Sequence, residues 1–149
     1  LKDNALTAIA DNRRHEASKA LNDVAFMNVP VTGVVANTTK SFKQSELAHV
    51  IYDGVRTIFT AEGQQSIHGE IVGVGLFCQL YFNDQQGEEE ELRQFMRAMD
   101  MPLTFADLGI APTDKNLDAI EEYIVNSRHY NSDAPADRQR LHEAVHEMV

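Results

Sequence analysis

The chain is short of several things. It has one cysteine, Cys78, in 149 residues. A single thiol excludes an internal disulfide and a cysteine-based zinc cluster, and it fits a reducing, cytoplasmic compartment. Cys78 sits in an apolar run, which predicts a buried, inert thiol. Basic residues are scarce, with 13 Lys and Arg against 23 Asp and Glu and a net charge of -10. Nucleic acid and anionic membrane surfaces require a basic patch, so neither is an expected partner. Long hydrophobic runs are missing too. The longest uncharged apolar-rich stretch, Ile71 to Phe82, is twelve residues, whereas a membrane span needs roughly 20. The first 30 residues contain no apolar signal-peptide core. The chain opens with Leu1, which admits a processed product or one part of a longer chain. The remaining composition, 43% apolar and 24% charged, is that of a globular protein of about one domain.

Apolar residues recur at helical spacing through most of the chain. Leu6 to Phe26 carries them at 6, 9, 10, 17, 20, 21, 24 and 25, with His15 on the charged face. Pro30 and Gly33 interrupt that pattern. Val29 to Val35 is β-branched, but a lone strand has no partner, so buried helix or loop is expected. Ser45 is an N-cap candidate for a helix with Leu47, Ala48, Ile51, Val55 and Ile58 on its apolar face. Ala61 to Ser66 reads as a loop. His68 opens an apolar central helix to about Asn83, whose glycines 69, 73 and 75 suggest close packing against another backbone. Glu88 to Glu91 places carboxylates at the start of the next helix, where the macrodipole favours them. Thr104 to Leu108 predicts one short helical turn. Thr113 or Asp114 caps a helix to about Ser127, and a last helix follows Pro135 through His146. The expected fold class is all-α, a multi-helix bundle of about six to eight helices in a single domain over 1–149.

Two histidine constellations bear on chemistry. His142-Glu143-Ala144-Val145-His146 is a literal H-E-x-x-H string. On a helix its imidazoles share a face and its glutamate could act as general base, the arrangement of a zinc protease. Three residues follow His146, too few for the usual downstream ligand, and the terminal helix is strongly polar. An exposed amphipathic face with no third ligand nearby is therefore expected. The second constellation is His49, on an apolar helix, with His68 at the mouth of the most buried one. Each is read either as a hydrogen-bonded core histidine or as one of a pair of metal ligands. A catalytic zinc site needs a third protein ligand and an open position besides.

The strings around His49 and His68 carry a family resemblance. Ala48-His49-Val50-Ile51-Tyr52-Asp53-Gly54, then Ile67-His68-Gly69-Glu70-Ile71-Val72-Gly73-Val74-Gly75 leading to Gln79-Leu80, resemble the metal-binding core of glycerol dehydrogenases. These belong to the iron-containing, or metal-dependent, alcohol dehydrogenases. Met101-Pro102-Leu103-Thr104 through Gly109-Ile110 is similar to a later stretch of that family. Ser127-Arg128-His129-Tyr130 stands where its members often carry Ile-His-Asn. The resemblance covers roughly residues 45 to 130.

The resemblance implies the C-terminal helical domain of an NAD-dependent oxidoreductase acting on a small polyol, alcohol or hydroxy acid. His49 and His68 match the family's two histidine metal ligands, for zinc or, in other branches, iron. His129 is given no ligand role. Tyr52 replaces a histidine that many relatives carry, which makes it a candidate substrate-pocket residue, and Asp53 replaces an asparagine. The family's third ligand is an upstream aspartate. Asp3, Asp11 and Asp23 are its candidates in principle, and none matches convincingly. The family's N-terminal NAD-binding domain has no counterpart here, since Gly73-Val74-Gly75 follows no strand. Implied partners are the alcohol substrate, that missing domain and further copies in a homo-oligomer, and the chain alone is expected to be inactive. The competing readings are a non-catalytic helical interaction module or degenerate relative and, more remotely, the H-E-x-x-H protease.

Overall fold

The computed structural model describes residues 2–31, 46–130, 132 and 134–149. Every regular element among them is helical, and none is long and apolar enough to cross a membrane. The chain divides into two compact units, Leu1–Phe42 and Lys43–Val149.

The first unit pairs α1 (Lys2–Arg13) with α2 (Lys19–Phe26). The single periodic stretch expected over 6–26 is thus two helices. The break follows from local chemistry. His15 takes a left-handed φ of 58°, which ends the helical path. Ser18 then starts α2 by accepting a hydrogen bond from the Leu21 amide at 3.1 Å. Buried Ala5 and Ala8 give α1 a small-residue face, and Asn4 donates to Asp23 at 3.2 Å across the pair. Asp11 is buried and ion-paired with Arg14. A π-helical turn, Met27–Val31, follows and contains Pro30. Of the two expected alternatives, buried helix or loop, residues up to Val31 take the helical one, but Val29 is 74% exposed. The expected N-cap, Ser45, and residues 32–35 lie outside the described residues.

The second unit contains α3 (Leu47–Ile58), the short α4 (Thr60–Gly63), α5 (His68–Phe82), α6 (Glu89–Ala98), α7 (Asp114–Val125) and α8 (Pro135–His146). The stretch expected as a loop over 61–66 therefore carries one helical turn. Thr104 to Leu108, expected to be helical, is instead a series of tight turns closed by Phe105 carbonyl bonds to the Leu108 and Ile110 amides. A continuous core joins the apolar faces of α3, α5, α7 and α8, with Ile51, Val55, Ile71, Val74, Ile120, Ile124 and Leu141 all fully buried. Cys78 is among them, and burial pushes its thiol far above the usual range, as expected of an inert core thiol.

Helix ends are tied by side chains. Thr113 caps α7 as the sequence indicates, whereas α8 begins at Pro135 itself rather than after it, with Pro135 in the first turn. Arg140 donates to the Phe82 carbonyl at 3.3 Å and to Asp84 at 2.6 Å, closing the C-terminal end of α5. Arg93 lies 3.9 Å over the Phe77 ring, pairs with Glu89 at 2.7 Å and donates to the Glu147 carbonyl at 3.0 Å. One guanidinium thereby ties α6 to the core and to the chain's last residues.

The turn after α6 is held by Asp107. Its Oδ2 accepts the Leu103 and Thr104 amides at 2.9 and 3.0 Å, while Thr104 Oγ1 accepts the Asp107 amide at 3.2 Å. The Leu103 amide is the main reason that this carboxyl sits below the ordinary aspartate value of 3.8. A lowered folded-state value stabilises the fold above that ordinary value and ceases to do so as pH falls through the lower one. Denaturant titrations of wild type and Asp107→Asn should therefore differ at pH 6 and converge as pH falls below the ordinary aspartate value and through the lowered one. A difference that is constant with pH would show that the carboxylate's charge plays no part.

Candidate functional site

In the second unit α3 and α5 approach backbone to backbone at Gly75. An ideal Cβ on Gly75 would stand 3.0 Å from the Ala48 carbonyl oxygen and 3.1 Å from its Cα. The absence of a side chain at 75 lets the backbones meet there, as the glycine pattern suggested. The expectation fails at Gly69, where a Cβ would meet nothing within 4 Å. Gln79 adds a polar tie, because its Oε1 accepts the Ala48 amide at 3.1 Å. That amide belongs to the first turn of α3, where no intrahelical acceptor exists. Glu46, at the cap position, makes no side-chain cap bond, so a side chain from a second helix supplies the acceptor.

This crossing brings His49 and His68 together. His49 sits in the first turn of α3, outside the buried stripe formed by Leu47, Ala48, Val50 and Ile51, and is exposed. His68 is the first residue of α5 and is also exposed. Glu70 fixes that helix start by accepting the Ile67 amide at 2.9 Å. The two imidazole centroids are 5.4 Å apart, with planes inclined at 47°. Neither histidine is the buried core residue that the apolar neighbourhood also allowed.

Tyr52 completes the group. It lies one turn beyond His49 on α3, half-buried, with its ring edge-on to His68 at a centroid distance of 4.5 Å. Arg56, a further turn along, donates from Nε to the Tyr52 hydroxyl oxygen at 3.4 Å and from Nη1 to the Gly63 carbonyl at 2.6 Å. With a donor already on its oxygen, Tyr52 has its own hydroxyl proton available for a neighbouring acceptor. The vacant space above Gly69 adjoins His68 in the chain, so the exposed imidazoles are not walled in at that residue. Within residues 46–149, no third His, Cys, Asp or Glu among the described residues joins this pair as a donor.

The other sequence candidates lie elsewhere. His15 is exposed in the first unit. His129 contacts Glu46 through Nδ1 at 2.5 Å and accepts from Arg128 Nε at 3.0 Å, so its ring is occupied by hydrogen bonding. It lines a groove of about 600 Å³ with Val50, Asp53, Tyr123, Ser127 and Arg128, which includes neither His49 nor His68.

In the H-E-x-x-H string, His142 and His146 are exposed, with ring centroids 4.6 Å apart, but Glu143 is engaged by Tyr81 at 3.2 Å and by Gln139 at 3.1 Å. Among the described residues no third donor converges on both histidines, but His142 alone has carboxylate neighbours. Glu121 of α7 meets His142 Nδ1 at 2.8 Å, and Asp118 one turn earlier completes a group whose ligand atoms lie within 4.8 Å of one another. The hydrogen bond that the His142 ring donates to the Glu121 carboxylate is the main cause that raises the His142 pKa above its usual 6.5. Sequence reasoning missed Asp118 and Glu121. Their only local signal is a three-residue spacing on the polar face of α7, which is common on exposed helices.

No known family's sequence profile matches the chain, and no curated protein matches it.

Proposed function

We propose that this chain is the metal-binding helical domain of an NAD-dependent dehydrogenase of the glycerol dehydrogenase kind, acting on a small polyol, alcohol or hydroxy acid. The observation that carries the reading is the pairing of His49 and His68, two exposed imidazoles from different helices with centroids 5.4 Å apart. They are the residues that match the family's ligand positions, and they are far apart on a helical chain until α3 and α5 pack.

The donor set fits a divalent metal of the zinc class. Imidazole nitrogen is a favoured ligand for zinc and iron, and both rings are accessible. In this reading the third donor, a carboxylate, comes from outside residues 46–149, and the NAD-binding domain is likewise supplied elsewhere. When bound, the metal would supply Lewis-acid stabilisation of a developing negative charge on a substrate oxygen. His49 and His68 hold it in place. Tyr52, kept in orientation by Arg56, offers its hydroxyl proton to a substrate oxygen beside His68 and so positions the alcohol. Hydride transfer itself belongs to the nicotinamide.

The test is NAD-coupled oxidation of glycerol and related diols by the longer protein in which this reading places the domain. His49→Ala should abolish both bound metal and turnover, whereas Tyr52→Phe should keep the metal and impair turnover. Full activity of a metal-free His49→Ala variant would defeat the assignment.

A further inference from the structure

We propose that Asp118, Glu121 and His142 form a second divalent-cation site, one that clamps α7 to α8. It uses neither His49 nor His68 and does not depend on the dehydrogenase reading.

The donor atoms are already gathered. One oxygen from each carboxylate and one imidazole nitrogen all lie within 4.8 Å of one another. Two ligands on one ion at about 2.0–2.2 Å each stand roughly 3–4 Å apart. Small rotations of side chains that are exposed or half-exposed close the remaining gap. The carboxylates sit three residues apart on α7 and so project from one face, while His142 reaches them from α8. Glu121 and His142 touch at 2.8 Å, so part of the geometry exists without any ion.

Charge gives the site its preference for a dication. Glu121 has His142 as its partner, but the Asp118 carboxylate makes no hydrogen bond or salt bridge with another described residue. Two carboxylates facing one imidazolium leave a net negative charge. A dication with neutral imidazole balances both carboxylates. The three donors line an open groove with Glu122, Asn126 and Arg138, so an ion has an entry path from solvent. The donor set of one nitrogen and two carboxylate oxygens suits zinc and cobalt better than calcium, which favours an all-oxygen shell.

His146 provides a control within the same helix. Its ring is 4.6 Å from that of His142, yet it is not one of the three converging donors. A site made by the two histidines alone would depend on His146 and ignore α7. The proposed site does the reverse.

Zn²⁺ binding to the 149-residue chain, measured by calorimetry with Co²⁺ absorption as a second probe, tests this directly. A His49→Ala/His68→Ala background removes the other imidazole pair. One saturable ion should still bind there. Adding His142→Ala, Asp118→Asn or Glu121→Gln should each weaken binding by at least about tenfold, the lower bound even for loss of an outer-shell partner. Adding His146→Ala should change it far less. Circular dichroism of the near-isosteric Asp118→Asn protein checks that the helices remain. The proposal is overturned if the background variant binds no saturable ion. It is equally overturned if binding survives Asp118→Asn combined with Glu121→Gln and is lost with His146→Ala.

Discussion

On the proposed dehydrogenase reading, His68→Ala should lower turnover about a thousandfold in the longer protein which that reading requires, while leaving the helices of residues 46–149 in place. The magnitude follows from the chemistry that the imidazole supports. Lewis-acid stabilisation of an oxyanion is worth several kcal/mol, and each 1.36 kcal/mol is about a factor of ten in rate. His68 is the exposed first residue of α5, so its truncation opens no cavity in the core. The helix start keeps its Glu70 bond to the Ile67 amide. Loss of activity should therefore come with loss of metal and without loss of helicity. Metal content and circular dichroism on the same samples separate the two. Turnover unchanged at full metal occupancy would exclude His68 as a ligand.

Gly75→Val should destabilise the second unit by roughly 3 kcal/mol, the upper part of the range for overpacked sites. The obstruction is backbone. The new Cβ would meet the Ala48 carbonyl oxygen at 3.0 Å and its Cα at 3.1 Å, and neither can rotate aside. Gly73→Ala is the informative contrast. Its Cβ would stand 2.9 Å from Met96 Cε and 3.3 Å from Met101 Cε, the far ends of two flexible side chains. An alanine there also gains up to about 1 kcal/mol of helix propensity, so that variant should remain within about 1 kcal/mol of wild type. Urea denaturation midpoints compare the three proteins. Equal destabilisation by both substitutions would show that the α3–α5 contact is not especially close at 75. Because α3 carries His49 and α5 carries His68, Gly75→Val should also weaken the metal binding proposed for that pair.

Local sequence was enough to place most helices of the second unit. The spacing of Leu47, Ala48, Ile51 and Val55 marks one buried face, and burial of that face follows wherever the helix docks. Thr113 and Pro135 start α7 and α8 through bonds and dihedral preferences contained within a few residues. The apolar character of α5 announces its central position, and Cys78 within it is inert for the same reason. The first unit was less legible. Apolar positions resume at Ala17 seven residues after Ala10, in phase with one continuous helix, and the left-handed turn at His15 depends on a backbone choice that a histidine does not advertise.

What periodicity leaves open is which helix meets which, and on which residues. Three glycines on α5 look alike in the sequence. Only the packing around α5 tells them apart: α3 makes Gly75 a backbone contact, Met96 of α6 and Met101 just beyond it meet Gly73, and Gly69 faces open space. His49 and His68 could each have been core histidines, but the crossing at Ala48 and Gly75 turns both outward beside Tyr52. The composition, the buried faces, the caps and the two histidine strings were determined by the sequence alone, because each depends on interactions within one or two helical turns. The meeting of Asp118 and Glu121 with His142 was decided by tertiary structure. It exists because Leu117, Ile120 and Ile124 of α7 and Leu141, Ala144 and Val145 of α8 bury themselves in a common core, which carries the polar edges of two distant segments into contact.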